Sequence, residues 1–282
     1  SLFFADYIET LQDPNGAEKN LDLTYAVRDG LICHCGEIDK QGIKPRDKAE
    51  NLYDMKKPGM FEPYTWEGCV VKVSDKIAFL GRDIEDARAY HILDMGSYRQ
   101  LREIVAGTLG FDTKSGVPRS GRAVNTTTLI NDLIVDLCEQ SSPEKGICFS
   151  EQYFKFIREL KSFNMSNIYT HWRLVEFQKY ASDVLGCIYR TLMKTQEYAR
   201  NGRINSALKY FPTLCKTFEE WLVKYSNYVS RTVPDRKKIC KYETQAVFNV
   251  DEWESYQKCV IEYLSGMTDQ FAISVFEEII SF

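Results

Sequence analysis

The sequence predicts an all-α fold for this chain of 282 residues. Apolar residues recur at steps of three and four in most segments, which is the pattern of a helix with one buried face. Only 8 prolines and 16 glycines are spread through the chain, and no series of short alternating strands is found. Because 44% of the residues are hydrophobic, the chain can bury a substantial core. We therefore expect a globular protein built mainly of helices.

Residues 67–86 (EGCVVKVSDKIAFLGRDIED) are predicted to form the central helix. Six apolar residues at helical spacing predict a buried stripe, namely Val70, Val73, Ile77, Leu80, Ile84 and Ala87. Three small residues on a neighbouring strip would let a second helix approach closely, namely Ser74, Ala78 and Gly81. These two faces together predict a helix that is covered over much of its circumference.

The remaining face of this helix carries Asp75, Phe79 and Asp83 at four-residue steps. A charged stripe opposite an apolar one is usually a solvated face. The alternative is a cleft, because Phe79 has no reason to lie on a solvated stripe and Lys72 and Lys76 stand beside the acids. In a cleft the carboxylates would need a cation or hydrogen-bond donors, since burying an unpaired carboxylate is costly. Both interpretations stay open.

Two weaker helical patterns precede this helix. Residues 2–11 predict the end of an amphipathic helix, which residues 13–16 (DPNG) break. Residues 21–34 predict a helix whose apolar side holds Leu23, Ala26, Val27, Gly30 and Leu31. His34 at its end could line a cleft, or it could cap the helix or pack against it. Residues 39–64 are a polar segment that is either a lid or an ordinary connector.

Six helical segments are predicted after the central helix, at residues 98–109, 123–138, 150–163, 167–198, 211–228 and 251–280. Tyr169 and Trp172 are interpreted as packing residues. The loop at residues 112–122 (DTKSGVPRSGR) could meet phosphate through Lys114, Arg119 and Arg122, or it could simply be flexible. We find no internal repeat and no linker that forces a domain boundary, so a single domain is expected.

Composition argues against several classes of protein. A formal net charge of −4 argues against a general nucleic-acid-binding protein. No run approaches the roughly 18 apolar residues of a membrane span, and no secretion signal is recognised, so a cytoplasmic protein without a membrane partner is expected. The nine cysteines are then expected to be reduced thiols. Residues 33–35 (Cys-His-Cys) lack a second pair at ligand spacing, which argues against a zinc site.

The common nucleotide-binding and hydrolase motifs are also missing. No GxxxxGK[ST] loop or GxGxxG turn occurs, so a nucleotide would not be held by a P-loop or a Rossmann turn. No HExxH or GxSxG motif occurs either. If the protein is a hydrolase, a metal–carboxylate site is the remaining kind of catalytic site.

Two stretches resemble one known family. Residues 63–87 (PYTWEGCVVKVSDKIAFLGRDIEDA) are similar to the EGxVVxxxDxIAYxxxDIxDA segment of the HD-superfamily deoxynucleoside triphosphate triphosphohydrolases, the dGTPase-like family. Residues 262–272 (EYLSGMTDQFA) are similar to that family's DYIAGMTDRFA. The resemblance implies one HD-type multi-helix domain over residues 1–282, with residues 1–110 as the remainder of the HD core and residues 111–282 as a helical C-terminal subregion.

The resemblance also implies roles for residues of the central helix. Asp75 matches the final ligand of a divalent metal ion (Mg, Mn, Fe, Ni or Zn), which completes a His, His-Asp, Asp set. Lys76 matches a position that contacts the substrate phosphates. Phe79 stands beside the sugar, where relatives usually have Tyr, and Asp83 matches the acid that hydrogen-bonds the deoxyribose 3′-hydroxyl. The segment that ends at His34 is comparable with one that follows the family's catalytic helices.

The implied activity is hydrolysis of deoxynucleoside triphosphates to a deoxynucleoside and tripolyphosphate, and a homo-oligomer is expected. The family's His-Asp pair is absent, because the three histidines are followed by Cys, Ile and Trp. We therefore expect the C-terminal portion of a longer protein, with the His-Asp ligands on an N-terminal segment or another chain. Two alternatives stay open: a non-catalytic helical scaffold for assembly or nucleotide sensing, and an HD phosphohydrolase of another nucleotide.

Overall fold

The computed structural model describes residues 1–36, 40–109, 126–233 and 235–281. Helices dominate these residues, which confirms the predicted all-α fold. The chain forms two compact units. Unit 1 comprises Ser1–Leu2 and Leu23–Val175, and unit 2 comprises Phe3–Asp22 and Glu176–Phe282. The single domain and the HD-type arrangement stay predictions.

The described helices in chain order are α1 (Tyr25–Cys33), α2 (Trp66–Ala89), α3 (Met95–Leu109), α4 (Thr126–Gln140), α5 (Glu151–Asn164), α6 (Trp172–Met193), α7 (Gln196–Arg200), α8 (Ile204–Ala207), α9 (Pro212–Tyr225), α10 (Arg236–Ile239), α11 (Trp253–Ser265) and α12 (Asp269–Ile280). Single π-helical turns lie at Phe4–Ile8 and Met165–Tyr169, and a 3₁₀ turn lies at Leu52–Asp54. The possible phosphate loop at residues 112–122 lies outside the described residues.

The described residues also include five short strands: β1 (Thr10–Gln12), β2 (Glu18–Asn20), β3 (Gly42–Ile43), β4 (Ile147–Cys148) and β5 (Tyr242–Glu243). In unit 2, β1 pairs antiparallel with β2, and β2 pairs in parallel with β5. In unit 1, β3 pairs antiparallel with β4. Strands this short tie loops together and form no layer of their own.

The centre of unit 1 is α2, which packs against α1, α4 and α5. Thr65 caps its N-terminus, because the Thr65 hydroxyl accepts a hydrogen bond from the amide of Gly68 at 3.0 Å. Five of the six predicted core residues are buried, namely Val73, Ile77, Leu80, Ile84 and Ala87. The predicted central helix is therefore confirmed.

Two details of the α2 prediction are wrong. Val70 is 46% exposed, and its neighbour Cys69 is fully buried. Ser74 and Ala78 are exposed, so no described helix covers that part of the predicted small-residue strip, although Gly81 is buried. The buried face of α2 is therefore shifted around the helix, away from Val70 and Ser74 and toward Cys69, Lys72 and Lys76.

The buried face of α1 also differs from the predicted one. Val27 and Leu31, expected on its apolar side, are 49% and 38% exposed. The buried side is formed by Asp29, Ile32 and Cys33. Tertiary contacts explain why Asp29 is buried. Its carboxylate forms an ion pair with Arg46 and accepts the amide hydrogen of Tyr64 at 2.7 Å. A paired carboxylate can be buried where an unpaired one could not.

Several predicted helices begin or end elsewhere. Residues 2–11 form a π-helical turn followed by β1. The predicted helix over residues 251–280 is divided, because Gly266 ends α11 and Thr268 caps α12, accepting a hydrogen bond from the amide of Phe271 at 3.3 Å. The predicted helix over residues 167–198 is also divided, because residues 167–169 belong to a π-helical turn and α6 and α7 are separate helices.

Unit 2 packs its own core, which includes the largest fully buried side chains of α9 and α11, Phe218 and Tyr256. The hydroxyl of Tyr225 donates a hydrogen bond to the carbonyl oxygen of Ile8 at 2.6 Å, which fixes the N-terminal segment onto this core. Across the described parts of the chain, no helix combines the length and the apolar character that crossing a membrane requires.

Candidate functional site

The central helix α2 carries all four residues to which the resemblance gives a role, namely Asp75, Lys76, Phe79 and Asp83. The side chain of Asp75 is exposed, Lys76 is only 7% exposed, and Phe79 and Asp83 are partly buried. A rise of 1.5 Å per residue separates Asp75 and Asp83 by about 12 Å along the helix axis. Because one continuous helix carries them, their spacing is fixed.

A residue that the sequence did not suggest joins this site. The hydroxyl of Tyr169 donates a hydrogen bond to Oδ2 of Asp83. Tyr169, predicted to be a packing residue, is the last residue of the π-helical turn after α5. The two residues lie 86 positions apart, so no local pattern could have linked them.

Three hydrogen bonds hold the π-helical turn against the helices beside it. Nδ2 of Asn164, a residue 1% exposed, donates to the carbonyl oxygen of Leu80 in α2 at 3.1 Å. Nδ2 of Asn167 donates to Oε1 of Gln100 in α3 at 3.2 Å and to the carbonyl oxygen of Phe163 at 3.1 Å. The backbone that presents Tyr169 is therefore anchored on two sides.

Phe79 and Lys76 of α2 differ in their surroundings. Phe79 packs against the hydrophobic core of unit 1, which explains its place beside charged residues. Lys76 is almost fully buried. A buried cation attracts an anion more strongly than an exposed one does, because water screens the interaction less.

Lys72 donates to backbone carbonyl oxygens at the end of α1. Its ammonium, on a residue only 3% exposed, donates to the carbonyl oxygens of Cys33 at 3.0 Å, His34 at 3.5 Å and Cys35 at 2.9 Å. These carbonyls lie at the C-terminal end of α1, where helical partners are missing. Lys72 therefore provides hydrogen-bond donors for the C-terminal carbonyl oxygens of α1 and joins this helix to α2.

His34 follows α1 directly and is partly buried. Its Nδ1 atom lies 3.2 Å from the carbonyl oxygen of Gly30, and its Nε2 atom lies 3.5 Å from the thiol of Cys35. Both ring nitrogens thus have partners at the helix end, which is the geometry of a capping residue. A role for His34 in a cleft stays a prediction.

A bound metal ion needs several converging ligands. Among the described residues, no group of three or more His, Cys, Asp or Glu side chains could hold one. Burial raises the pKa of the Cys33 thiol to about 11, and the thiol donates to Asp29 at 3.5 Å, so this cysteine is poorly suited to bind metal as a thiolate. The described residues alone therefore do not fit a divalent metal, and Asp75 stays a predicted single ligand.

Comparison with curated proteins finds several relatives named deoxyguanosinetriphosphate triphosphohydrolase-like protein. The protein from Thiobacillus denitrificans is 23% identical over 203 residues, which cover 64% of this chain and 51% of that protein. The proteins from Rickettsia felis and Rickettsia prowazekii are 22% and 24% identical over 278 residues, which cover 96% of this chain and 64% of each relative.

The chain is similar in sequence to proteins of the dGTPase-like family. These alignments confirm the resemblance first seen in the two short motifs, and they extend it over most of the chain. The chain spans between about half and two thirds of the length of the dGTPase-like relatives cited above. No protein-family model matches it.

Proposed function

We propose that the chain contributes the substrate-binding face of a deoxynucleoside triphosphate triphosphohydrolase, which releases a deoxynucleoside and tripolyphosphate. The observation that carries the proposal is the placement of Asp75, Lys76, Phe79 and Asp83 on the single helix α2. In this proposal Lys76 neutralises triphosphate charge, Phe79 packs beside the sugar, and Asp83 accepts a hydrogen bond from the 3′-hydroxyl group.

Two further observations support these roles. The printed names of the relatives describe deoxyguanosinetriphosphate triphosphohydrolase-like proteins, and their similarity reaches over most of this chain. Asp83 is held by a hydrogen bond from Tyr169, and a fixed carboxylate recognises a hydroxyl group with less loss of entropy than a mobile one.

Asp75 is proposed as one carboxylate ligand of a divalent metal ion. Its exposed side chain is accessible to groups from outside residues 1–282. No His-Asp dipeptide occurs in the sequence, so the histidine and His-Asp ligands of the proposed centre would come from another segment or chain. Deoxynucleoside triphosphate, this ligand-bearing segment and further copies of the chain are the partners we propose.

The test is release of tripolyphosphate from dGTP, measured by anion-exchange chromatography. The assay contains the segment or chain that carries the His-Asp ligands. Asp75→Ala should abolish release, and Lys76→Ala should raise KM. Asp86→Ala removes another exposed carboxylate of α2 and serves as the matched control, with activity expected near that of the wild type. Absence of release in the presence of those ligands would refute the proposal.

A non-catalytic helical scaffold is the second candidate. The observation that favours it is that no described group of side chains could hold a metal ion. A scaffold would bind nucleotide or assemble with copies of itself without turnover, even with the His-Asp ligands supplied. Screening deoxynucleotides against ribonucleotides and signalling nucleotides separates both candidates from a phosphohydrolase of another nucleotide.

A further inference from the structure

We propose that Tyr169 is the positioning residue for Asp83, and that it orients this carboxylate toward the 3′-hydroxyl of a deoxyribose. The inference rests on the proposed function, because Asp83 meets a sugar only if the chain takes a deoxynucleotide. The hydroxyl of Tyr169 donates its one proton to Oδ2 of Asp83. Oδ1 can then accept a hydrogen bond from a second hydroxyl group.

The pair is accessible enough for a ligand to reach it. Tyr169 is 36% exposed and Asp83 is partly buried. A partly exposed aspartate on a helix surface would otherwise sample several side-chain rotamers. The hydrogen bond from Tyr169 selects one of them, so part of the ordering cost is met before a ligand arrives.

The element that carries Tyr169 is suited to this role. The π-helical turn Met165–Tyr169 is anchored to α2 through Asn164 and to α3 through Asn167. Ile168, next to Tyr169, is only 4% exposed and packs into the core of unit 1. Such turns are uncommon and are found frequently at functional sites. An anchored turn fixes the position of the hydroxyl relative to α2.

The residue one turn before Asp83 cannot position this carboxylate by a hydrogen bond. Phe79 ends in a phenyl ring and has no hydrogen to donate to a carboxylate. The resemblance leads us to expect a tyrosine at this position. In this chain a phenol reaches Asp83 from position 169 instead.

The experiment compares the affinities of dGTP and 2′,3′-dideoxyguanosine triphosphate by isothermal titration calorimetry. The wild-type protein should prefer dGTP, because only dGTP carries the 3′-hydroxyl. Tyr169→Phe should weaken dGTP binding about tenfold, since it removes a hydrogen bond to a charged acceptor. Binding of the dideoxy analogue should be unchanged. Tyr90→Phe, an exposed tyrosine of the same unit, is the matched control and should leave both affinities unaltered.

The outcomes separate this inference from the proposed function. Equal weakening for both nucleotides in Tyr169→Phe would show a merely structural role and would overturn the positioning proposal alone. A wild-type protein that binds neither nucleotide would overturn the proposed function and this inference together. In an Asp83→Asn background, adding Tyr169→Phe should change dGTP affinity less than about twofold, because the two residues act as a unit.

Discussion

The Nζ atom of Lys72 lies 2.9 Å from the carbonyl oxygen of Cys35. Lys72 belongs to α2, whereas Cys35 follows α1, so one buried ammonium joins the two helices. The same ammonium also bonds to the carbonyl oxygens of Cys33 and His34. Positive charge at a helix C-terminus is favourable in addition, because the helix dipole is negative there.

Replacing this lysine by an apolar residue should therefore destabilise the fold. Lys72→Met leaves buried carbonyl oxygens at the end of α1 without a donor, and we expect a loss of about 2 to 3 kcal/mol in the free energy of unfolding. Urea denaturation followed by circular dichroism measures it. Lys57→Met changes an exposed lysine and should have little effect. An equal loss in both variants would contradict the role given to Lys72.

The buried ion pair of Asp29 and Arg46 should be sensitive to removal of one partner. Asp29 is fully buried, and Arg46 also donates to the carbonyl oxygen of Glu62 and the hydroxyl of Tyr25. Arg46→Met leaves an uncompensated buried carboxylate, which typically costs about 3 to 5 kcal/mol. Urea denaturation of the variant measures the loss.

The control for this variant is the pair of the exposed Lys40 and the partly buried Glu62, whose charged atoms lie 3.4 Å apart. Lys40→Met should cost less than about 1 kcal/mol, because Lys40 is exposed and water screens its charge. If Arg46→Met were no more destabilising than Lys40→Met, the ion pair would not be what permits burial of Asp29.

Two thiols of unit 1 should react slowly. Burial raises the pKa of Cys33 and of Cys69 to about 11, above the ordinary value of 9.0. Only the thiolate is strongly nucleophilic, so little of either side chain is reactive at pH 8. Iodoacetamide labelling followed by peptide mass spectrometry should modify the exposed Cys138 first. Labelling of Cys33 at the rate of Cys138 in folded protein would contradict this.

The pair of Glu18 and Lys224 should make unit 2 sensitive to acid. The hydrogen bond from Lys224 lowers the pKa of Glu18 below its ordinary value of 4.5. The unfolded state therefore binds a proton first, and the stabilisation is present above pH 4.5 and is lost as the pH falls through the folded pKa.

Thermal unfolding at several pH values tests this pair. Glu18→Gln should destabilise the protein at pH 7, and its difference from the wild type should shrink at pH 3. Glu243→Gln removes a more exposed carboxylate, whose partner Lys19 lies 3.0 Å away, and should cause a smaller change. A Glu18→Gln difference that did not depend on pH would show that the ion pair is not responsible.

Helical periodicity is a local property of the chain, so it could be predicted. The course of α2 and the burial of five of its six predicted core residues follow from spacing alone. Boundaries that depend on a single residue were harder to predict. Gly266 and Thr268 permit a continuous helix in the sequence pattern, yet they end α11 and begin α12.

By itself, then, the sequence determined the helical class, the central helix and the likeness to the dGTPase-like family. Only the tertiary structure decided that Tyr169 bonds to Asp83, that Lys72 closes α1, and that Asp29 is buried. The partners in these contacts lie 86, 37 and 17 positions apart. A polar contact of this kind forms only when the fold brings its two partners together, so no pattern within one helix can predict it.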